Sequence, residues 1–215
     1  MKLWRRLDRW AEHSRLNPYR LLVMPHPQVD AEAFRALLDA TPAGGEIAYE
    51  LPEPKWHFLH WATRNGLLLH GTNALDVTQF STRDQGDAFG APTHGLFASD
   101  DAIWPLYFAT VRRDALSYGY INWAMHVRGT SRYVFSIGAD PSDPASWTTG
   151  AIYLFPAASF VRTGETRELI SNAPPPPRAW LRVEPDDFPF RARTVQHGEG
   201  ATPMRVVLRH ALRLR

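Results

Sequence analysis

The sequence predicts an α+β fold: one antiparallel-rich sheet domain with flanking helices and a helical N-terminal extension. Three observations predict it. Segments with helical spacing of apolar residues crowd into the first half of the chain. From Tyr118 onward the pattern changes to short runs rich in Val, Ile, Tyr, Phe and Trp, separated by Gly, Pro and Asp clusters, as strands joined by turns require. No internal repeat and no linker divides the 215 residues, a length that suits one sizeable domain. The expected boundaries are 1–45 for the extension and 46–215 for the domain.

Composition bounds the function. A hydrophobic content of 44% and a charged content of 21% describe a folded chain, and 8 Trp promise large buried faces or stacking platforms. The formal charge is +2, with Lys2 and Lys55 the only lysines, so there is no electrostatic case for nucleic acid or an anionic membrane. The absence of cysteine excludes disulfides, thiolate nucleophiles and Cys-ligated zinc. No apolar run approaches the roughly 20 residues that span a bilayer. The opening "MKLWRRLDRWAEHSRL" lacks the apolar region of a secretory signal and reads as an amphipathic helix with a solvated Arg face. A soluble cytoplasmic protein without a membrane partner is the expectation.

In chain order, "DAEAFRALLDATPAGG" predicts a helix capped by Asp30, carrying Phe34, Leu37 and Leu38 on one face and stopped by Pro42 and Gly44-Gly45. "PEPKWHFLHWATRNG" predicts a second helix over Lys55–Thr63. "LLLH", from Leu67, is short, apolar and bounded by turn residues, which fits a buried strand. "HGLFAS", from His94, reads as another. A helix follows in "SDDAIWPLYFATVRRDA", with capping oxygens from Ser99 to Asp101, an awkward Pro105 tolerable only in the first turn or as a kink, and Arg112 and Arg113 near its end. "SRYVFSIG", "GAIYLFPAASF", "RELISN" and "RAWLRVEP" then predict strands. "APPPPR" is a stiff polyproline connector, more readily a tight loop than an SH3-type ligand. "EPDDFPF" is expected to close the sheet. The tail "MRVVLRHALRLR" fits either an amphipathic strand or a helix.

Three places invite chemistry. His70, at the end of an apolar run, has an ordinary structural reading in which a backbone carbonyl satisfies the ring. Gly71 beside it sharpens the signal, because a missing side chain lets a planar amide approach the main chain while the imidazole meets a hydroxyl. Tyr107 and Phe108 sit on the helix that follows Phe97-Ala98-Ser99, where an aromatic ring could stack on a flat cation or could simply be the helix's apolar side. Glu168 opens a strand, where a carboxylate is most often a solvated edge charge. His57 and His60, three apart on the second helix, could share a metal with His70 or His94, but no carboxylate has matching spacing, and packing beside Trp56 and Trp61 accounts for them more simply; no metal is expected. No Gly-x-Ser-x-Gly elbow supports a hydrolase.

Taken in order, these segments resemble the ADP-ribosyltransferases of the poly(ADP-ribose) polymerase and diphtheria-toxin type over roughly Leu67 to Pro189. His70-Gly71-Thr72 is similar to that family's His-Gly-Ser/Thr strand end. Gly95-Leu96-Phe97-Ala98 followed by Tyr107 looks like its Gly-Ile-Tyr-Phe-Ala strand and helix tyrosine. Glu168-Leu169-Ile170 is similar to its glutamate-led strand. The resemblance implies a split, antiparallel-rich sheet that binds NAD as substrate. It further implies His70 on a ribose hydroxyl, the Gly71 backbone on the nicotinamide amide, Thr72, Gly95, Phe97 and Ser99 lining the site, Tyr107 stacking on the pyridinium, and Glu168 stabilising the cationic sugar. The acceptor, whether protein, nucleic acid, small molecule or water, stays open. Two departures stand out: Leu96 replaces the strand tyrosine and removes one wall of the nicotinamide sandwich, and Trp104 replaces a small hydroxyl residue that would bond the carboxamide. Both point toward a non-catalytic nucleotide- or partner-binding domain of the same fold as the alternative. An RNA 2′-phosphotransferase-like enzyme, drawing on Arg64, Arg83, Arg112 or Arg113, is a further one.

Overall fold

The computed structural model describes residues 21–24, 26–86, 92–127, 130–162, 168–203, 205–207 and 209; the expected N-terminal amphipathic helix lies outside them. The chain divides into two compact units. One comprises Pro27–Val111 and Thr148–Pro189; the other draws on Arg112–Trp147 and the segments at the two chain ends. The division does not fall at residue 45: the first described helix belongs to the same unit as the candidate site.

That unit is built on a seven-stranded sheet. Its strands are β2 (Leu67–Thr72), β3 (Arg83–Gly86), β4 (Pro92–Ser99), β7 (Gly150–Pro156), β8 (Val161–Arg162), β9 (Glu168–Ser171) and β10 (Ala179–Val183), in the order β10-β7-β2-β4-β9-β8 with β3 on β4. Every strand pair in it is antiparallel. Among the described residues, three α-helices accompany it: α1 (Ala31–Ala40), α2 (Lys55–Arg64) and α3 (Ile103–Thr110). α1 begins as its sequence requires, with the Asp30 carboxylate accepting from Ala33 N–H. Its far end is held by Arg178, whose guanidinium donates to the Leu38 and Thr41 carbonyls at 2.7 and 2.9 Å. The Leu38 carbonyl, which also accepts from the C-cap Thr41 N–H, and the Thr41 carbonyl just past the helix are thereby held in place. The same bonds also pin the end of the polyproline connector, where Pro177 is buried, so the connector is a structural loop.

α3 is capped by Asp101, whose Oδ1 accepts from Ile103 and Trp104 N–H, and Pro105 sits harmlessly in the first turn. The helix stops at Thr110, short of the Arg112-Arg113 end expected from the sequence. Val111 is extended, and Thr148 N–H takes the Thr110 carbonyl that another helical turn would have used.

The second unit holds a four-stranded sheet of β1 (Leu22–Val23), β5 (Tyr120–Val127), β6 (Thr130–Ile137) and β11 (Val195–Gln196). β5 pairs along the whole of β6, so β1 and β11 share β6's other edge, β1 antiparallel and β11 parallel. Buried Ser136 and His197 lock this corner: their side chains meet at 2.7 Å, and the imidazole also reaches the Tyr118 carbonyl. "EPDDFPF" forms a 3₁₀ turn (Pro185–Asp187) in place of a closing strand. The two rings beside Pro189 serve different cores, Phe188 against Tyr107 in one unit and Phe190 against Tyr133 and Phe135 in the other. The tail is helical at 203, 205–207 and 209, where Val206 and Val207 are buried.

Candidate functional site

The three motif segments come together on neighbouring strands. Leu69 on β2 is paired with Ser99 on β4, and Ser99 with Glu168 on β9. With strands about 4.8 Å apart, Leu69 and Glu168 are about 10 Å apart across the sheet. Leu69↔Ser99 is the single pair that joins β2 to β4. One residue later the ladder gives way to a side chain: His70 Nδ1 lies 2.7 Å from the Phe97 carbonyl oxygen. A carbonyl only accepts, so Nδ1 carries a hydrogen, and whenever the ring is neutral Nε2 is its acceptor nitrogen. This is the backbone-satisfied histidine that the sequence allowed, and it also sets the tautomer.

The other edge of β2 is fully paired with β7, matching His70 with Tyr153 and Gly71 with Ile152. Side chains alternate between the faces of a strand, so His70 shares a face with Tyr153, and Gly71 faces the opposite way. On Gly71's face lies α3. A β-carbon at Gly71 would stand 1.9 Å from the Pro105 carbonyl oxygen, and one at Gly150 would stand 2.0 Å from that of Ala109. Pro105 and Ala109 are one helical turn apart. The two glycines thus form a flat seat on adjoining strands for the α3 backbone.

Several expected ligand contacts are engaged in packing instead. Tyr107 is 0% exposed, with its ring against Phe188 and Phe108, and its helix lies on the face opposite the His70 side chain. Leu96 is buried in the cluster on the His70 face. Ser99 Oγ accepts from Asp101 N–H and so belongs to the α3 cap, while Thr72 Oγ1 accepts from Ala74 N–H. At Gly95 a side chain would collide with Ile170 Cγ2 at 2.3 Å, so that glycine gives room to β9. Glu168 is positioned by its backbone register at the head of β9.

Two residues that sequence reasoning passed over complete the His70 face. Phe80 meets the rings of His70, Tyr153 and Phe155 edge-on at 5.5, 4.8 and 5.2 Å. The Tyr153 hydroxyl accepts from Val77 N–H at 2.8 Å and lies 3.3 Å from the Ala74 carbonyl, and burial raises its pKa. Tyr153 looked like any other ring in a buried strand, and nothing in the sequence marked Phe80. His57 is buried edge-on to Trp56, with Nδ1 lacking a hydrogen-bond partner, and its pKa is lowered chiefly by burial. Burial and then Arg64 lower that of His60. Among the described residues, no group of three or more His, Asp or Glu side chains is arranged to hold a metal ion, and no helix is long and apolar enough to cross a membrane.

In comparisons with known proteins, no family model matches the chain, and neither does any curated protein or solved structure.

Proposed function

We propose that the chain is an NAD-dependent ADP-ribosyltransferase-like protein whose donor site is the parting of β2 and β4. The observation that carries this reading is the register Leu69–Ser99–Glu168, with His70 one residue beyond it, which sets all three motif segments on three adjacent strands. His70 Nε2 then accepts from a ribose hydroxyl, its tautomer already set by Phe97. Glu168 bonds the 2′-hydroxyl and stabilises the cation that develops at C1′. The C1′–N bond breaks, its electron pair leaves with neutral nicotinamide, and the acceptor or water adds at C1′ and loses a proton to solvent. A preorganised contact of this kind is worth about 10²–10³ in rate.

The test is nicotinamide release from NAD by the purified chain. The expected result is turnover that falls at least about 100-fold in Glu168→Gln and an NAD affinity that weakens in His70→Ala. Turnover unchanged by Glu168→Gln would sink the assignment. The burial of Tyr107 and Leu96 favours a second reading, a domain of the same fold that binds a nucleotide or partner without transfer. Under that reading NAD binds, His70→Ala abolishes binding, and no nicotinamide appears.

A further inference from the structure

We propose that residues 73–82 are a strap that plugs a ring-shaped recess beside His70 with the Phe80 side chain, and that a planar aromatic ring of a ligand takes Phe80's place. The choice of a nicotinamide ring as that ligand rests on the function proposed above; the recess does not.

The segment has no regular secondary structure. Its near end is fixed by Asn73, whose Nδ2 donates to the Ala109 carbonyl at 2.8 Å. Asp76 turns the chain with a φ of 57°, a conformation uncommon outside glycine. Beyond that turn the hold is slight. Among the described residues, Val77 is the one residue of 75–82 with a hydrogen-bonded backbone, and its partner is the Tyr153 hydroxyl. Leu75, Val77 and Phe80 pack on the cluster below but stay partly exposed, whereas Tyr153 and Phe155 beneath them are fully buried. A rigid aromatic floor thus carries a lightly tethered aromatic cover, and segments with so few contacts open at low cost.

The recess suits a ring by shape and by chemistry. Its walls are the edges and faces of Tyr153 and Phe155, which favour an aromatic occupant, and its rim is the His70 imidazole. A phenyl ring satisfies the walls alone. A heteroaromatic ring bearing a carboxamide adds hydrogen-bonding groups that Phe80 lacks. While Phe80 occupies the recess, apparent affinity is reduced by the fraction of molecules in which the strap is open. Tyr153 is the latch, since losing its hydroxyl releases Val77 and Ala74 and leaves the ring floor intact.

The experiment measures binding of NAD, nicotinamide and benzamide by calorimetry to the wild-type chain, Phe80→Ala and Tyr153→Phe, with hydrogen exchange of residues 73–82. Tighter binding of the ring ligands by both variants, about 5- to 30-fold for loss of the Val77 and Ala74 hydrogen bonds in Tyr153→Phe, together with faster exchange of 73–82 when ligand binds the wild type, supports the plug. Equal NAD affinity in all three proteins with unchanged exchange overturns it and leaves the NAD site standing. Benzamide binding by Phe80→Ala while none of the proteins binds NAD keeps the recess and removes the NAD reading. No binding of any probe by either variant overturns the recess. Tyr153→Phe carries the test if Phe80→Ala proves unstable.

Discussion

Replacing Gly71 by alanine would set a methyl group 1.9 Å from the Pro105 carbonyl oxygen, 2.7 Å from its carbon and 3.0 Å from its α-carbon. All three atoms are helix backbone, so no rotamer change relieves the contact. Bringing the oxygen to 3.0 Å, the closest approach that real side chains show, needs a displacement of 3.0 − 1.9 = 1.1 Å of α3 against β2. β2 is paired along its length to β7, and α3 is fixed at its start by the buried Asp101 cap. Overpacking a fitted core costs about 1–3 kcal/mol, and a clash with backbone belongs at the upper end, about 3 kcal/mol. Urea unfolding should show a lower midpoint with an unchanged slope. Gly150→Ala, pressed against Ala109 of the same helix, should cost a similar amount. The double variant should cost less than the sum, because one movement of α3 relieves both. Stability within about 0.5 kcal/mol of wild type for Gly71→Ala, as at an ordinary surface site, would refute the helix seat. Gly71 would then be there for a ligand alone.

Two further outcomes follow from the packing. His57 and His60 have pKa values below the ordinary 6.5 because burial disfavours their charged forms. Below pH 6.5 the unfolded chain therefore takes up protons that the folded rings resist. Their contribution to stability is complete above that pH and is lost as pH falls through the folded values; melting curves from pH 8 to 5 should show it, with a weaker acid dependence in His57→Phe. Arg178→Ala removes two charged hydrogen bonds to the end of α1 and should cost about 1.5–3 kcal/mol. Hydrogen exchange should rise first near residues 38–44, and protection unchanged there would show that the helix end is held by other contacts.

The helices were legible because their signals are local. Asp30 and Asp101 cap as their positions demand, and Pro42 and Pro105 lie where a proline is tolerated. Four strands of the second half, β6, β7, β9 and β10, were legible as apolar runs, whereas β5 over Tyr120–Val127 was not among the expected strands. The two-residue strands β1, β8 and β11 were not legible, since two residues carry no period and become strands only through their partners. α3 ends earlier than its sequence suggests for a similar reason: Thr110 gives up its carbonyl to Thr148, and a residue so distant in sequence leaves no trace near Arg112.

At the candidate site, "LLLHGT" by itself determined a buried strand ending in a titratable ring beside a residue with no side chain. It could not determine what approaches that residue, because alternation assigns His70 and Gly71 to opposite faces without saying what covers either. The tertiary structure decided both: α3 closes on Gly71, and Phe80, ten residues on, closes on His70. It also decided that Leu69, Ser99 and Glu168 stand in register. The physical reason is that hydrogen bonding along a strand fixes local geometry within a few residues, whereas which strands and helices meet depends on how the whole unit buries its apolar surface at once.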